Sequence, residues 1–216
     1  MNDLPADGVL RHVLDAVWTS FAAGNHGIGA AVVDADVALV GSGHNQIFDT
    51  RGDSPALSGS PLAHAEINAL YSLGRDRAPG CTLVTSLAPC PLCVGAAAVF
   101  RISRIRYLGH DPSCDGTEPG TTSGSWRLPH ITQEADTSWS LWCEVLPMVS
   151  SIQRHGRDSI LLGSYERSRP DLLAAVHKFA EVCPLDAKGV RNIAFSEARA
   201  AFWTFFSDTS PTIPRL

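Results

Sequence analysis

Only two lysines, Lys178 and Lys188, occur in the 216 residues, and the chain carries a net charge of −5. Proteins that grip nucleic acid present basic surfaces, because phosphate neutralisation dominates their affinity. The shortage of lysine, the lack of a basic tail and the absence of aromatics interleaved with Lys or Arg argue against such a surface. The densest basic cluster is Arg101, Arg104 and Arg106, and its plain alternative is a solvated face. No run of about 20 apolar residues is present, so no membrane-spanning helix is expected. Residues Met1 to Pro5 lack the basic and apolar regions of a secretory leader. Of the six cysteines, Cys81, Cys114, Cys143 and Cys183 stand singly and supply no second Cys/His pair of the kind a structural zinc site needs. A reducing compartment, the cytoplasm, is the expected location. Internal repeats are also missing. What remains is a globular composition, 44% hydrophobic and 18% charged, in a chain long enough for one good core.

Against these absences stand two short motifs, His64-Ala65-Glu66 and Pro89-Cys90-Pro91-Leu92-Cys93. Either alone says little, because a lone Cys-x-x-Cys is equally a redox dithiol or half a structural zinc site. Together they supply one imidazole, two thiols and a carboxylate. Three protein ligands on zinc leave a fourth position open to water, the arrangement of a catalytic site. Glu66 is then free to move protons. Apolar Ile67, Leu70 and Tyr71 recur at helical spacing, which predicts a helix over Ala63–Leu73 with His64 and Glu66 in its first turn. Thr82–Ser86 reads as a strand, and Pro91 suits the first position of the next helix, where its missing N–H costs nothing. Cys90 and Cys93, three apart, fall on one face of that helix start. The positive end of a helix favours thiolate over thiol.

The stretch from about Gly27 to Asp111 resembles the cytidine-deaminase-like superfamily, in which H-x-E is paired with P-C-x-x-C. Its nearest likeness is the branch of guanine deaminases, tRNA adenosine deaminases and fungal-type cytosine deaminases. Gly27–Val33 resembles that branch's first strand, with Gly27 where Pro is usual. Ser42-Gly43-His44-Asn45 resembles the G-x-N turn after its second strand, and Pro61–Glu66 resembles D-P-T-A-H-A-E. Leu87-Ala88-Pro89-Cys90 departs from L-E-P-C by carrying Ala88 where Glu is common. The resemblance implies one zinc ion per chain, held by His64, Cys90 and Cys93, with Glu66 as the catalytic acid and base. It further implies base contacts from the Asn45 amide and the Ala65 backbone, with Asp111 shaping the exit of the pocket. Alternatives stay open: Asn45 could hold a left-handed turn, and Asp111 could cap a turn. His26 and His44 lie near the expected mouth, where a loop histidine is ordinarily solvated.

The fold implied is a three-layer α/β/α sandwich around a mixed five-stranded sheet, followed by a C-terminal helical extension. Residues 1–150 form the deaminase domain and 151–216 the extension in this reading. Val9, Val13, Val17 and Phe21 mark a first helix, and Ala30–Val33 with Val37–Val40 a hairpin around Asp34-Ala35-Asp36. Asp49–Pro61 is a long polar loop, a lid or a connection. Ile105–Leu108 is a strand, and Pro112–Ser125 a loop. Trp126, Trp139 and Trp142 lie in a segment interrupted by Pro129 and Pro147, as core residues or as a platform for a base. Ser159–Tyr165 is the expected fifth strand. Leu172, Val176, Phe179 and Cys183 make one helical stripe, stopped by Pro184, and Ala194, Ala198, Ala201, Phe202 and Phe205 another. The expected protein is a homodimeric deaminase of a small nucleobase or nucleoside, leaning to guanine. A nucleic-acid editor, a cytosine-type base deaminase and a non-catalytic zinc scaffold are the competing readings.

Overall fold

The structure, a computed structural model, describes residues 4–50, 52, 56–74, 78–115, 127–135, 138–182 and 194–209. Its centre is a sheet of β1 (Gly29–Val33), β2 (Leu39–His44), β3 (Thr82–Leu87), β4 (Arg104–Gly109) and β5 (His130–Gln133). The order is β2-β1-β3-β4-β5, antiparallel between β1 and both its neighbours and parallel from β3 to β5. All five residues of β1 are buried. Their period-two alternation sorts them. Ala30 and Val32 pack towards α2 (Ala65–Tyr71) and α3 (Pro91–Val99), whereas Ala31 and Val33 pack towards α1 (Gly8–Ala22). Asp7 starts α1 by accepting from the Val9 and Leu10 N–H groups at 2.7 and 3.3 Å.

Beside α1 on the same face of the sheet, α4 (Ser138–His155) packs against β4, and the short α5 (Gly163–Ser168), α6 (Pro170–Val182) and α7 (Phe195–Thr209) follow it in the chain. One apolar cluster joins Leu14 and Phe21 of α1, Leu108 of β4, Trp142 and Leu146 of α4, Val176 and Phe179 of α6, and Phe202 of α7. Each such side chain contributes about 1.5–3 kcal/mol when fully buried. The two C-terminal helices therefore share the core of the sandwich. Position 150 itself lies within α4. Among the described residues, no helix is long and apolar enough to cross a membrane.

Several expectations are corrected. The fifth strand is His130–Gln133, pairing in parallel with β4, while Ile160–Leu162 is a 3₁₀ turn leading into α5. A four-residue edge strand with Ile131 as its one aliphatic side chain carries little alternation, and the apolar run at Ile160–Leu162 is ambiguous between strand and helix. Nor does Pro147 interrupt its segment. It sits inside α4, where proline removes a backbone hydrogen bond at a cost of about 3 kcal/mol. Trp139, Trp142, Val145, Leu146, Met148 and Val149 are all buried along this helix, which offsets that loss. Trp139 and Trp142 are core residues, 4% and 0% exposed. Gly43 lies within β2 rather than in a turn after it. The helix after His64 starts at Ala65, with His64 as its N-cap. Trp126, Cys183 and Pro184 fall outside the described residues.

Gly95 offers a simple test of α3. It is an exposed helical glycine, and a Cβ there would meet nothing within 4 Å. Gly95→Ala is expected to raise stability by about 0.5–1 kcal/mol, read as a higher denaturant midpoint at unchanged slope.

Candidate active site

Two helix starts build the site. His64 caps α2 and Cys90 caps α3, both in extended backbone conformation (ψ 154° and 165°), and neither makes a side-chain capping bond. Both side chains are thereby left to face one another. Pro91 follows Cys90 at the first helical position, and Cys93 enters on the same turn. The ligand atoms form a near-equilateral triangle: Cys90 Sγ to Cys93 Sγ is 3.6 Å, and His64 Nδ1 lies 3.7 Å from Cys90 and 3.5 Å from Cys93. Tetrahedral zinc, with Zn–S of about 2.3 Å and Zn–N of about 2.0–2.1 Å, requires S···S near ~3.8 Å and N···S near ~3.6 Å. The donor set fits the ion in kind and in spacing.

The electrostatics are those of a cluster sharing protons. The contact with Cys93, together with His64 beside it, holds Cys90 down to about 4. The same contact and burial push Cys93 well above the usual thiol range. Cys93 must give up its proton before it can serve as a thiolate ligand. Its hydrogen bond to Cys90 raises His64, more than burial lowers it. Glu66 is 4% exposed, and burial raises its carboxyl above the ordinary carboxylate value. It stands within hydrogen-bonding reach of Cys93. A carboxyl raised in this way is a better proton acceptor than an ordinary carboxylate, as a general acid–base group requires.

Of the other candidates, Asn45 lies in the segment that is tied to the start of the His64 helix, and its Oδ1 accepts from the Ile47 N–H at 3.3 Å. Its neighbour Gln46 donates its N–H to the Ala63 carbonyl at 2.9 Å, one residue before His64. Asn45 is 2% exposed, and its own N–H donates to the Ile28 carbonyl at 2.9 Å. It does not adopt a left-handed backbone. Ala65 is the first residue of α2 and fully buried, and its N–H belongs to the helix turn that lacks intrahelical partners. Asp111 accepts from the Ser113 N–H at 2.9 Å and the Ser113 hydroxyl at 2.7 Å, capping a 3₁₀ turn at Pro112–Cys114.

Sequence reasoning missed the scaffold behind these groups. Asn68 donates to the carbonyls of His44 (3.1 Å) and Leu57 (3.0 Å) and accepts from the Leu57 N–H (2.8 Å). Asn25 donates to Asp49 at 2.7 Å and accepts from the Phe48 N–H at 2.8 Å. These bonds fasten both ends of the loop between Asn45 and Pro61. Nothing local in the sequence signals them, because each partner is 11 to 24 residues away.

His26 is a correction, since it is not solvated. It is 8% exposed, 2.8 Å from the Ser150 hydroxyl and edge-on to Phe48. Burial, reinforced by His155, Arg154 and His64, lowers its pKa to about 4. The unfolded chain, titrating near 6.5, then binds more protons than the folded one between these values. Stability present above about pH 6.5 is lost as pH falls towards 4, at up to about 1.4 kcal/mol per pH unit. His26→Gln is expected to flatten this acid limb by one proton's worth in a pH series of denaturation midpoints. An unchanged slope would show that His26 titrates alike in both states.

The fold and the site together define an α/β/α protein with a three-ligand metal site beside a buried carboxylate. The model of the cytidine and deoxycytidylate deaminase zinc-binding region matches residues 6–108. The chain is 31% identical over 114 residues to the cytosine deaminase of Candida albicans, covering 50% of this chain and 69% of that protein. It is 37% identical over 103 residues to the guanine deaminase of Bacillus subtilis, covering 44% and 60%. It is 39% identical over 112 residues to the tRNA(Ile)-lysidine synthase of Deinococcus deserti, covering 49% of this chain but only 20% of that protein. The solved guanine deaminase of Nitrosomonas europaea superposes with a TM-score of 0.48 at 24% identity, over 68% of this chain and 86% of that one. The chain belongs to the cytidine and deoxycytidylate deaminase family.

Proposed function

We propose that this protein is a hydrolytic deaminase that releases ammonia from the exocyclic amine of a small nucleobase, guanine foremost. The observation that carries the reading is the His64–Cys90–Cys93 triangle with the buried Glu66 carboxyl beside it. His64, Cys90 and Cys93 would hold a zinc ion, which would supply the Lewis acidity that makes water a nucleophile at neutral pH. Glu66 takes a proton from the attacking water and delivers it to the ring nitrogen next to the reacting carbon; it then takes the proton of the new hydroxyl and passes it to the amine as the C–N bond breaks. Water supplies the oxygen of the new carbonyl, and ammonia leaves. The Asn45 amide, able to donate and accept at once, and the Ala65 N–H orient the base.

Charge placement supports a small substrate. Arg104 and Arg106 sit at the start of β4, whereas the cysteine ligands follow the far ends of β3 and β4. Three to five residue steps of about 3.3 Å put Arg106 and Arg104 roughly 10–16 Å along the sheet from that end. Arg106 is also engaged by Glu134, with Asp7 at 4.0 Å. Cytosine is the second reading, favoured by the 69% of the Candida albicans cytosine deaminase that this chain spans. The test is ammonia release by the zinc-loaded protein from guanine, cytosine, adenine, their nucleosides and a tRNA anticodon stem-loop. Turnover of guanine is the expected result. Activity confined to the stem-loop would sink the small-base reading and leave an RNA editor.

A further inference from the structure

We propose that Glu144, Tyr165 and Arg169 form a clamp on the backbone of His110 that positions the Cys90 loop for metal binding. The inference rests on the reading of His64, Cys90 and Cys93 as the metal ligands. His110 directly follows β4, and both of its peptide groups are held, one from α4 and the other from α5. Its N–H donates to Glu144 Oε1 at 2.9 Å, and its carbonyl accepts from the Tyr165 hydroxyl at 3.1 Å. Glu144 Oε2 faces Arg169 Nη1 at 3.2 Å. Glu144 and Tyr165 are 5% and 4% exposed, and Glu144 is backed by Arg169 at the half-exposed end of the clamp. Burial pushes the Tyr165 phenol far above its ordinary value, which keeps it a donor.

The connection to the site is one residue long. The Gly109 carbonyl accepts from the Ala88 N–H at 2.9 Å. Ala88 is joined to Cys90 through Pro89, whose ring fixes the backbone between them. The end of β4 has little room to adjust. A Cβ at Gly109 would meet Cys143 Cβ, Glu144 Cγ and the Ser140 carbonyl, each at 3.1 Å. A displacement of His110 is therefore passed to Ala88 and the Cys90 thiol. An apolar residue at 144 could fill the same volume but could not hold a peptide N–H, and a buried carboxylate is costly to keep unless it is paired. That cost is consistent with a positioning role for the pair.

The experiment compares full-length Tyr165→Phe, which removes only the hydroxyl, and Glu144→Gln, which keeps the shape and weakens the Arg169 pair. Leu173→Ala serves as a control, a truncation in the same apolar cluster away from His110. Zinc affinity is measured by competition with a chromophoric chelator, the cobalt-substituted site by its visible spectrum, and stability by denaturation. Both clamp variants are expected to bind zinc about tenfold more weakly, as outer residues that orient metal ligands do, and to alter the cobalt–thiolate bands. Leu173→Ala should lose stability yet bind zinc like the wild type. Clamp variants with wild-type affinity and spectrum would overturn the proposal, as would equal weakening in Leu173→Ala. A wild-type protein that binds neither zinc nor cobalt would instead overturn the metal-site reading beneath it.

Discussion

Glu66→Gln is expected to retain its zinc and to lose turnover by about 10²–10⁴-fold, the usual contribution of a positioned acid–base group. The three ligand atoms come from His64, Cys90 and Cys93, so the metal site has no need of the Glu66 side chain. Glutamine matches glutamate in size and leaves the packing of α2 intact, but its amide cannot carry a proton from water to a ring nitrogen. Glu66 is buried, and its carboxyl is raised mainly by that burial. A neutral replacement therefore removes no favourable charge from the folded state, and stability should be unchanged or slightly higher. Zinc stoichiometry by elemental analysis and ammonia release by coupled assay decide the matter together. Near wild-type turnover in the variant would remove Glu66 from the mechanism. Loss of zinc alongside loss of turnover would assign it a structural part instead.

Gly43→Val should damage fold and site together, lowering stability by about 3 kcal/mol and weakening zinc binding. A Cβ at position 43 would lie 2.3 Å from the Ala69 N, 2.6 Å from the Ala65 carbonyl and 2.7 Å from the Asn68 carbonyl carbon. These are backbone atoms of α2, so no side chain can swing aside, and the helix must move off β2. Overpacking ordinarily costs about 1–3 kcal/mol, and a branched side chain against backbone belongs at the upper end. The same helix presents His64 and Glu66 at its start. A shift of about 1 Å is enough to cost roughly 10²-fold in a reaction that depends on orientation. Denaturation and chelator competition measured on one preparation would test both effects. A variant that lost stability but bound zinc normally would show that α2 can slide without disturbing its first turn.

Gly43 also illustrates how much the sequence conveyed. Its place beside Asn45 was legible as part of a motif, but its reason was read as a turn. The structure shows close approach of strand and helix, a contact between residues 22 to 26 apart. Asn68 and Glu144 were invisible for the same cause. A polar residue inside a helical stretch carries no mark of a partner far along the chain, and both make such long-range bonds. The fifth strand was misplaced because His130–Gln133 is a short edge, half-exposed along its length. Edge strands owe their conformation to the neighbour they pair with more than to their own composition. Pro147 misled by a sound local rule that a buried tryptophan-rich face overrode.

By itself the sequence determined the chemistry-bearing groups and their local geometry. His64, Glu66, Cys90 and Cys93 lie at helix starts whose spacing, proline placement and apolar periodicity are local properties, set within a few residues. The alternation within β1 and the stripe of α1 were equally local, and they defined the sandwich. Tertiary structure alone decided the rest. It closed the triangle of ligands to within 3.7 Å across 29 residues of chain, buried His26, placed α6 and α7 in the shared core, and tied His110 to helices 34 and 55 residues further on. Those outcomes depend on which surfaces exclude water from one another, a property of the packed whole that no short window of residues contains.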